Sequence, residues 1–151
     1  GSALVAGDLD RDGDLDLLQT TRDFPVSGPL RLLENRPRAP SEERHFLTVR
    51  PRMAGANSHA LGTRITAEVP GRTLTRVISA GSSFLGQEPA EAFFGLGGND
   101  RVERLTVHWP GGWTTVLEDV PADGALTVRL GDLFRDDFEG GDLSAWSGVL
   151  P

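Results

Sequence analysis

The sequence has no cysteine. Neither a disulfide framework nor a thiolate metal site is open to it. All 15 of its basic residues are arginine, which removes Schiff-base chemistry and lysine cross-links. Tyrosine is also absent. No apolar run approaches the roughly 18–20 residues that a helical membrane span needs. No basic stripe is present for a phosphate backbone, so nucleic acid is not expected as a partner. No useful stretch shows helical period, and no internal repeat is evident.

Turn formers are plentiful instead, with 19 glycines and 10 prolines among 151 residues. Short strands joined by tight turns fit this composition. The net charge of −7 is unevenly placed: residues 1–20 carry five Asp and one Arg, residues 130–151 carry five acids and one Arg, and the middle is left at +1. Acid at both ends points to local cation sites, not to a field over the whole surface.

Residues 3–20 read as strand, acidic loop, strand. The loop is Asp8-Leu-Asp-Arg-Asp-Gly-Asp-Leu-Asp16. Calcium takes six to eight oxygens at roughly 2.3–2.6 Å. Alternate carboxylates of Asp8, Asp10 and Asp12 would supply them, Gly13 would let the chain turn sharply, Asp14 would add its carbonyl, and Asp16 would close the ring. Without a cation these carboxylates repel one another. An EF-hand would need a Glu at loop position twelve, which is Gln19, and flanking helices where strands are expected. Magnesium prefers water-rich octahedral sites. The expected cofactor is therefore Ca2+.

Residues 21–44 read as irregular, with Leu30–Glu34 as the one strand candidate and 37–44 as a linker. From His45 onward the pattern is β. Phe46, Leu47 and Val49 make one run. Ile65, Ala67 and Val69 alternate with polar residues, Pro70-Gly71 turns the chain, and Thr73–Ile78 returns. Leu105 and Val107 form a strand, Pro110–Gly112 turns, Trp113–Leu117 comes back, and Leu126 and Val128 make a last strand. The expected fold is all-β: a β-sandwich-like domain over 45–131, preceded by a single propeller-type strand–calcium loop–strand unit over 1–36. An acidic, aromatic tail covers 132–151. Its Asp136, Asp137, Glu139 and Asp142 form a second candidate cation site, set among Phe134, Phe138 and Trp146.

The stretch Val5–Leu18 resembles the calcium loop of FG-GAP/VCBS repeats, which build integrin-like propellers. That resemblance implies Asp8, Asp10, Asp12 and Asp16 as ligands. One copy closes no propeller, so the missing blades of a parent chain are an expected partner. The stretches Asn57–Ile65, Arg76–Gln87, Phe93-Phe-Gly-Leu-Gly97 and Val107-His-Trp-Pro-Gly-Gly112 resemble, in order and spacing, the ASPIC/UnbV domain of the cartilage acidic protein group. One departure is Phe93, where that domain commonly has His. The tail resembles C-terminal segments of exported bacterial proteins. These resemblances imply a secreted or cell-surface calcium-dependent protein that meets an extracellular protein or glycan. Gly1-Ser2 reads as a cloning remnant, with any export signal expected outside this sequence.

Enzyme chemistry is not expected. His45, His59 and His108 lack zinc spacing. The stretch nearest to a G-x-S-x-G elbow, Ala80-Gly81-Ser82-Ser83-Phe84, does not fit it. Two other readings are carried forward. A carbohydrate-binding module would expose a flat aromatic platform, for which Trp109, Trp113 and Trp146 are the indoles. A hydrolase would pair carboxylates in a pocket.

Overall fold

A computed structural model describes residues 3–10, 12–23, 26–36, 44–81 and 83–131. Every regular element among them is a strand. In the N-terminal unit, β1 (Ala3–Gly7), β2 (Asp16–Thr20) and β5 (Arg31–Leu33) form an antiparallel sheet in the order β1-β2-β5. A two-residue hairpin, β3 (Arg22–Asp23) with β4 (Val26–Ser27), lies between β2 and β5. The sequence reading left that stretch irregular because two-residue strands carry no readable alternation.

The sandwich has two sheets. One is antiparallel, in the order β11-β10-β7-β8, from β7 (Arg64–Val69), β8 (Arg72–Val77), β10 (Arg101–His108) and β11 (Thr114–Pro121). The other runs β12-β6-β9, from β6 (His45–Arg52), β9 (Ala92–Gly97) and β12 (Gly124–Arg129). Every second residue faces inward along these strands. Ile65, Ala67, Leu105 and Val107 from one sheet and Leu47, Val49, Phe94, Leu96 and Val128 from the other fill one buried core. Trp109 closes an end of it, with its indole N–H donating to Thr115 Oγ1 at 2.9 Å.

The turns follow from their residues. Pro70 presets the first corner of the β7–β8 hairpin and Gly71 takes φ +78° at the second. The side chain of Asn57 clamps one residue: Oδ1 accepts from Leu61 N at 2.9 Å and Nδ2 donates to Leu61 O at 3.0 Å. Such a clamp is the local role that an asparagine side chain plays in turns.

Two features depart from the sequence reading. Phe93-Phe-Gly-Leu-Gly97, to which no strand is assigned from sequence, lies in β9, and its glycines occupy outward positions. And β12 runs parallel to β6, with Gly124 opposite Leu47 and Arg129 opposite Arg52. Asp123 fixes that start. Its N–H donates to Phe46 O at 2.7 Å, and its carboxylate accepts from Phe46 N at 3.3 Å and meets His45 Nδ1 at 2.7 Å.

The β8 and β9 edges lie side by side across the two sheets. Arg72 and Arg76 stand opposite buried Val69 and Ile65, so they point toward the other sheet. Arg72 Nη2 donates to Gly95 O at 3.2 Å and Arg76 Nε to Phe93 O at 3.1 Å. The Arg76 guanidinium also lies 5.7 Å from the Phe94 ring centre. Inward-pointing charge on an edge strand guards it against pairing with another chain, and here it also ties the two sheets together.

This core contains no acidic cluster. Phe94→Ala should therefore cost about 3–5 kcal/mol, equally in calcium and in chelator. Val116→Ala, at a half-exposed outer position, should cost no more than about 0.5 kcal/mol. Denaturant unfolding of both variants measures this.

Candidate metal centre

Gly7 pairs with Asp16, so residues 8–15 form a closed excursion at the tip of the β1–β2 hairpin. Asp16 is the anchor. It is 2% exposed, and its two oxygens accept from Leu9 N at 3.1 Å and from Asn35 N at 2.9 Å. One carboxylate thus fixes both the loop and the end of β5. Within the loop, Asp8, Asp10 and Asp12 each tie down an amide ahead of them. Asp8 Oδ2 accepts from Gly13 N at 3.3 Å, Asp10 Oδ1 from Asp12 N at 3.2 Å, and Asp12 Oδ1 from Asp14 N at 2.9 Å.

These bonds leave oxygens over. Asp8, Asp10 and Asp12 each offer a carboxylate oxygen, and the three lie within 4.8 Å of one another. Asp8 Oδ1 is buried and has no hydrogen-bond partner among the described residues. A buried charged oxygen with nothing to bind is costly. The carboxyl of Asp10 is held above its ordinary value of 3.8, first by loss of surrounding water and then by the charges of Asp12 and Asp16, against a lowering bond from the Asp12 amide. Hard oxygen donors, mutual repulsion and an orphan oxygen are the features that a hard cation would relieve. The residues present therefore fit calcium.

The five loop aspartates expected from sequence divide into roles. Asp8, Asp10 and Asp12 gather their oxygens. Asp16 lies buried beneath them as the loop's brace. The Asp14 side chain turns to Arg44, 3.7 Å from its Nη1. The second candidate site, Asp136, Asp137, Glu139 and Asp142, lies outside the described residues. Among the described residues no histidine joins a metal-holding group.

Sequence reasoning did not anticipate how the loop is seated. Gly13 has φ +93°, which a side chain disfavours. A Cβ there would also overlap the Phe46 ring, lying 2.7 Å from its Cε1. Phe46 in turn stacks on Phe93, with ring centres 5.8 Å apart and planes within 10°. Phe93, singled out earlier as a departure from the pattern it resembles, is thus the second layer beneath the loop. Beside it, the 83–88 segment caps the free edge of β1. Leu4 N donates to Ser83 Oγ at 3.3 Å and Ala6 N to Glu88 Oε1 at 3.4 Å. Gly86 leaves room for Val5, whose Cγ2 would lie 2.7 Å from an added Cβ. Glu88 thus serves to hold the edge of β1.

The family model described as "ASPIC and UnbV" matches residues 53–133, more than half of the chain. The match begins just after β6, although β6 lies between β9 and β12 in their sheet. No curated protein matches the chain.

Two outcomes follow from the loop. Gly13→Ala should destabilise the ion-free N-terminal unit by about 1–2 kcal/mol from backbone strain, with a further loss from the ring. Phe46→Leu in the same chain should recover only the second part, giving a non-additive double-mutant cycle in thermal unfolding. The raised Asp10 carboxyl has a definite sign. It favours the folded ion-free loop below pH 3.8, and that contribution is lost as pH rises through the raised value. Cation binding must displace that proton, so affinity should fall, with proton uptake on release, as pH drops toward the Asp10 range. Calorimetry in buffers of different ionisation heat reads this.

Proposed function

The chain belongs to the ASPIC and UnbV family, and from that premise we propose that it is a non-enzymatic, calcium-binding interaction module of a secreted or cell-surface protein. The observation that carries the reading is the buried, unpartnered Asp8 Oδ1 beside the converging carboxylates of Asp10 and Asp12. The cation is structural. It neutralises the loop, and the loop sits on Phe46, so occupancy stiffens the junction between the N-terminal unit and the sandwich. Calcium suits a set of three carboxylates that leaves room for carbonyls and water better than magnesium's strict octahedron does.

The strand–loop–strand unit with its third strand, β5, supports the FG-GAP/VCBS likeness and, with it, kinship to the cartilage acidic protein group. The partner is an extracellular protein or glycan, and the missing propeller blades of a parent chain would adjoin the N-terminal unit. A binding module built on a broad indole platform is less well supported. Trp109 is 3% exposed, which leaves Trp113 as the exposed indole among the described residues.

Calcium titration by calorimetry tests the ion. The parent chain should bind one calcium at the loop, and Asp12→Ala should lose that binding. At calcium a hundredfold above Kd, the N-terminal unit should gain about 2.7 kcal/mol, visible as a raised melting transition that chelator abolishes. Unchanged affinity in Asp12→Ala would sink the proposal.

A further inference from the structure

A cleft of about 480 Å³ opens between the acidic loop and the outward side of β9. That volume lies in the range of small-molecule sites. Part of the wall on the β9 side lacks side chains. Gly95 and Gly98 line it, neither has a positive φ, and a Cβ added to either would meet nothing within 4 Å among the described residues. Neither backbone conformation nor packing calls for glycine at these two positions. A glycine inside a strand weakens it, and one use of the missing side chain is close approach of a ligand.

The charge in the cleft is also uneven. Arg44 stands against Asp14, and His45 against Asp123. Arg72 has no carboxylate partner among the described residues; its guanidinium donates to the Gly95 carbonyl. A guanidinium carries five donors in a fixed fork suited to a carboxylate. Phe93 also lines the cleft and is held in place by its stack on Phe46. The cleft therefore combines a cation with spare donors, a strip of open backbone and an aromatic ring.

We infer that this cleft binds an acidic saccharide, with a uronate carboxylate on Arg72 and the sugar ring over Gly95 beside Phe93. A flat, amphipathic ring suits bare backbone and an aromatic, and the carboxylate answers the uncompensated charge. The site is separate from the cation ligands Asp8, Asp10 and Asp12.

The test is calorimetric titration of the full chain, with calcium present, using three probes: a glucuronate-containing tetrasaccharide, its carboxyl-reduced neutral counterpart and a short acidic peptide. The acidic saccharide should bind at least tenfold tighter than either of the others. Arg72→Gln should weaken it at least tenfold. Gly95→Val should abolish it; valine suits a strand and a Cβ there meets nothing within 4 Å among the described residues, so this variant decides the matter if Arg72→Gln loosens the β8–β9 seam. Arg64→Gln, on the outer face of the four-stranded sheet, should change nothing. Equal binding of the neutral saccharide, preference for the peptide, undiminished binding by Gly95→Val, equal losses in the two arginine variants, or no saturable binding would each overturn the inference.

Discussion

The geometry of the N-terminal unit depends on the loop's own amides holding aspartates where their charges conflict. Asp8, Asp10 and Asp12 each accept from a backbone N–H further along the loop, and those bonds bring the spare oxygens within 4.8 Å. The amides offset part of the repulsion, as hydrogen bonding to a carboxylate does. They do not remove it, as the raised Asp10 carboxyl and the unpartnered Asp8 oxygen both show. The buried Asp16 keeps this arrangement from relaxing outward, since its two oxygens are committed to Leu9 and Asn35.

The strain is not confined to the loop. Gly13 lies against Phe46, and Phe46 lies against Phe93, which belongs to an edge strand of the sandwich. That same strand is held from its other side by Arg72 and Arg76 of β8. The path from loop to core is therefore short and made of stiff parts: a glycine turn, two stacked rings, then β9 with Phe94 and Leu96 buried on its inner side. Such contiguous packing is how a local charge change can be felt at a distance. The core itself is apolar and carries no charge that needs an ion.

Much of this was legible in the sequence, and the rest was not for physical reasons. The acidic loop, its flanking strands and the hairpins at Pro70-Gly71 and Pro110–Gly112 could be read because alternation and turn chemistry are local. Strand β9 carries no readable period, since glycine at its outward positions erases the polar half of the alternation. The parallel pairing of β12 with β6 is non-local, and the brace at its start, Asp123, looks in sequence like any turn aspartate. The roles within the loop were also hidden. Spacing has Asp16 close the ring and says nothing of its burial, whereas the fold makes it a buried brace, and Arg44 draws the side chain of Asp14 aside. Phe46 could have been suspected from its place at the head of an apolar strand, but nothing in spacing links it to Gly13.

The glycines show how far such an argument reaches. Gly13 has two independent reasons to be glycine, its φ of +93° and the ring of Phe46. Gly71 has its conformation alone, and Gly86 has crowding alone, from Val5, Ser83 and Ala3. For each of these, the fold of this chain accounts for the missing side chain. Gly95 has no such account: its backbone is ordinary and the space beside it is open. Leaving a strand position bare costs conformational entropy and forgoes packing. A cost without a return inside the fold directs attention to what lies outside it. At this position the outside is a cleft whose one cation without a carboxylate partner, among the described residues, is Arg72.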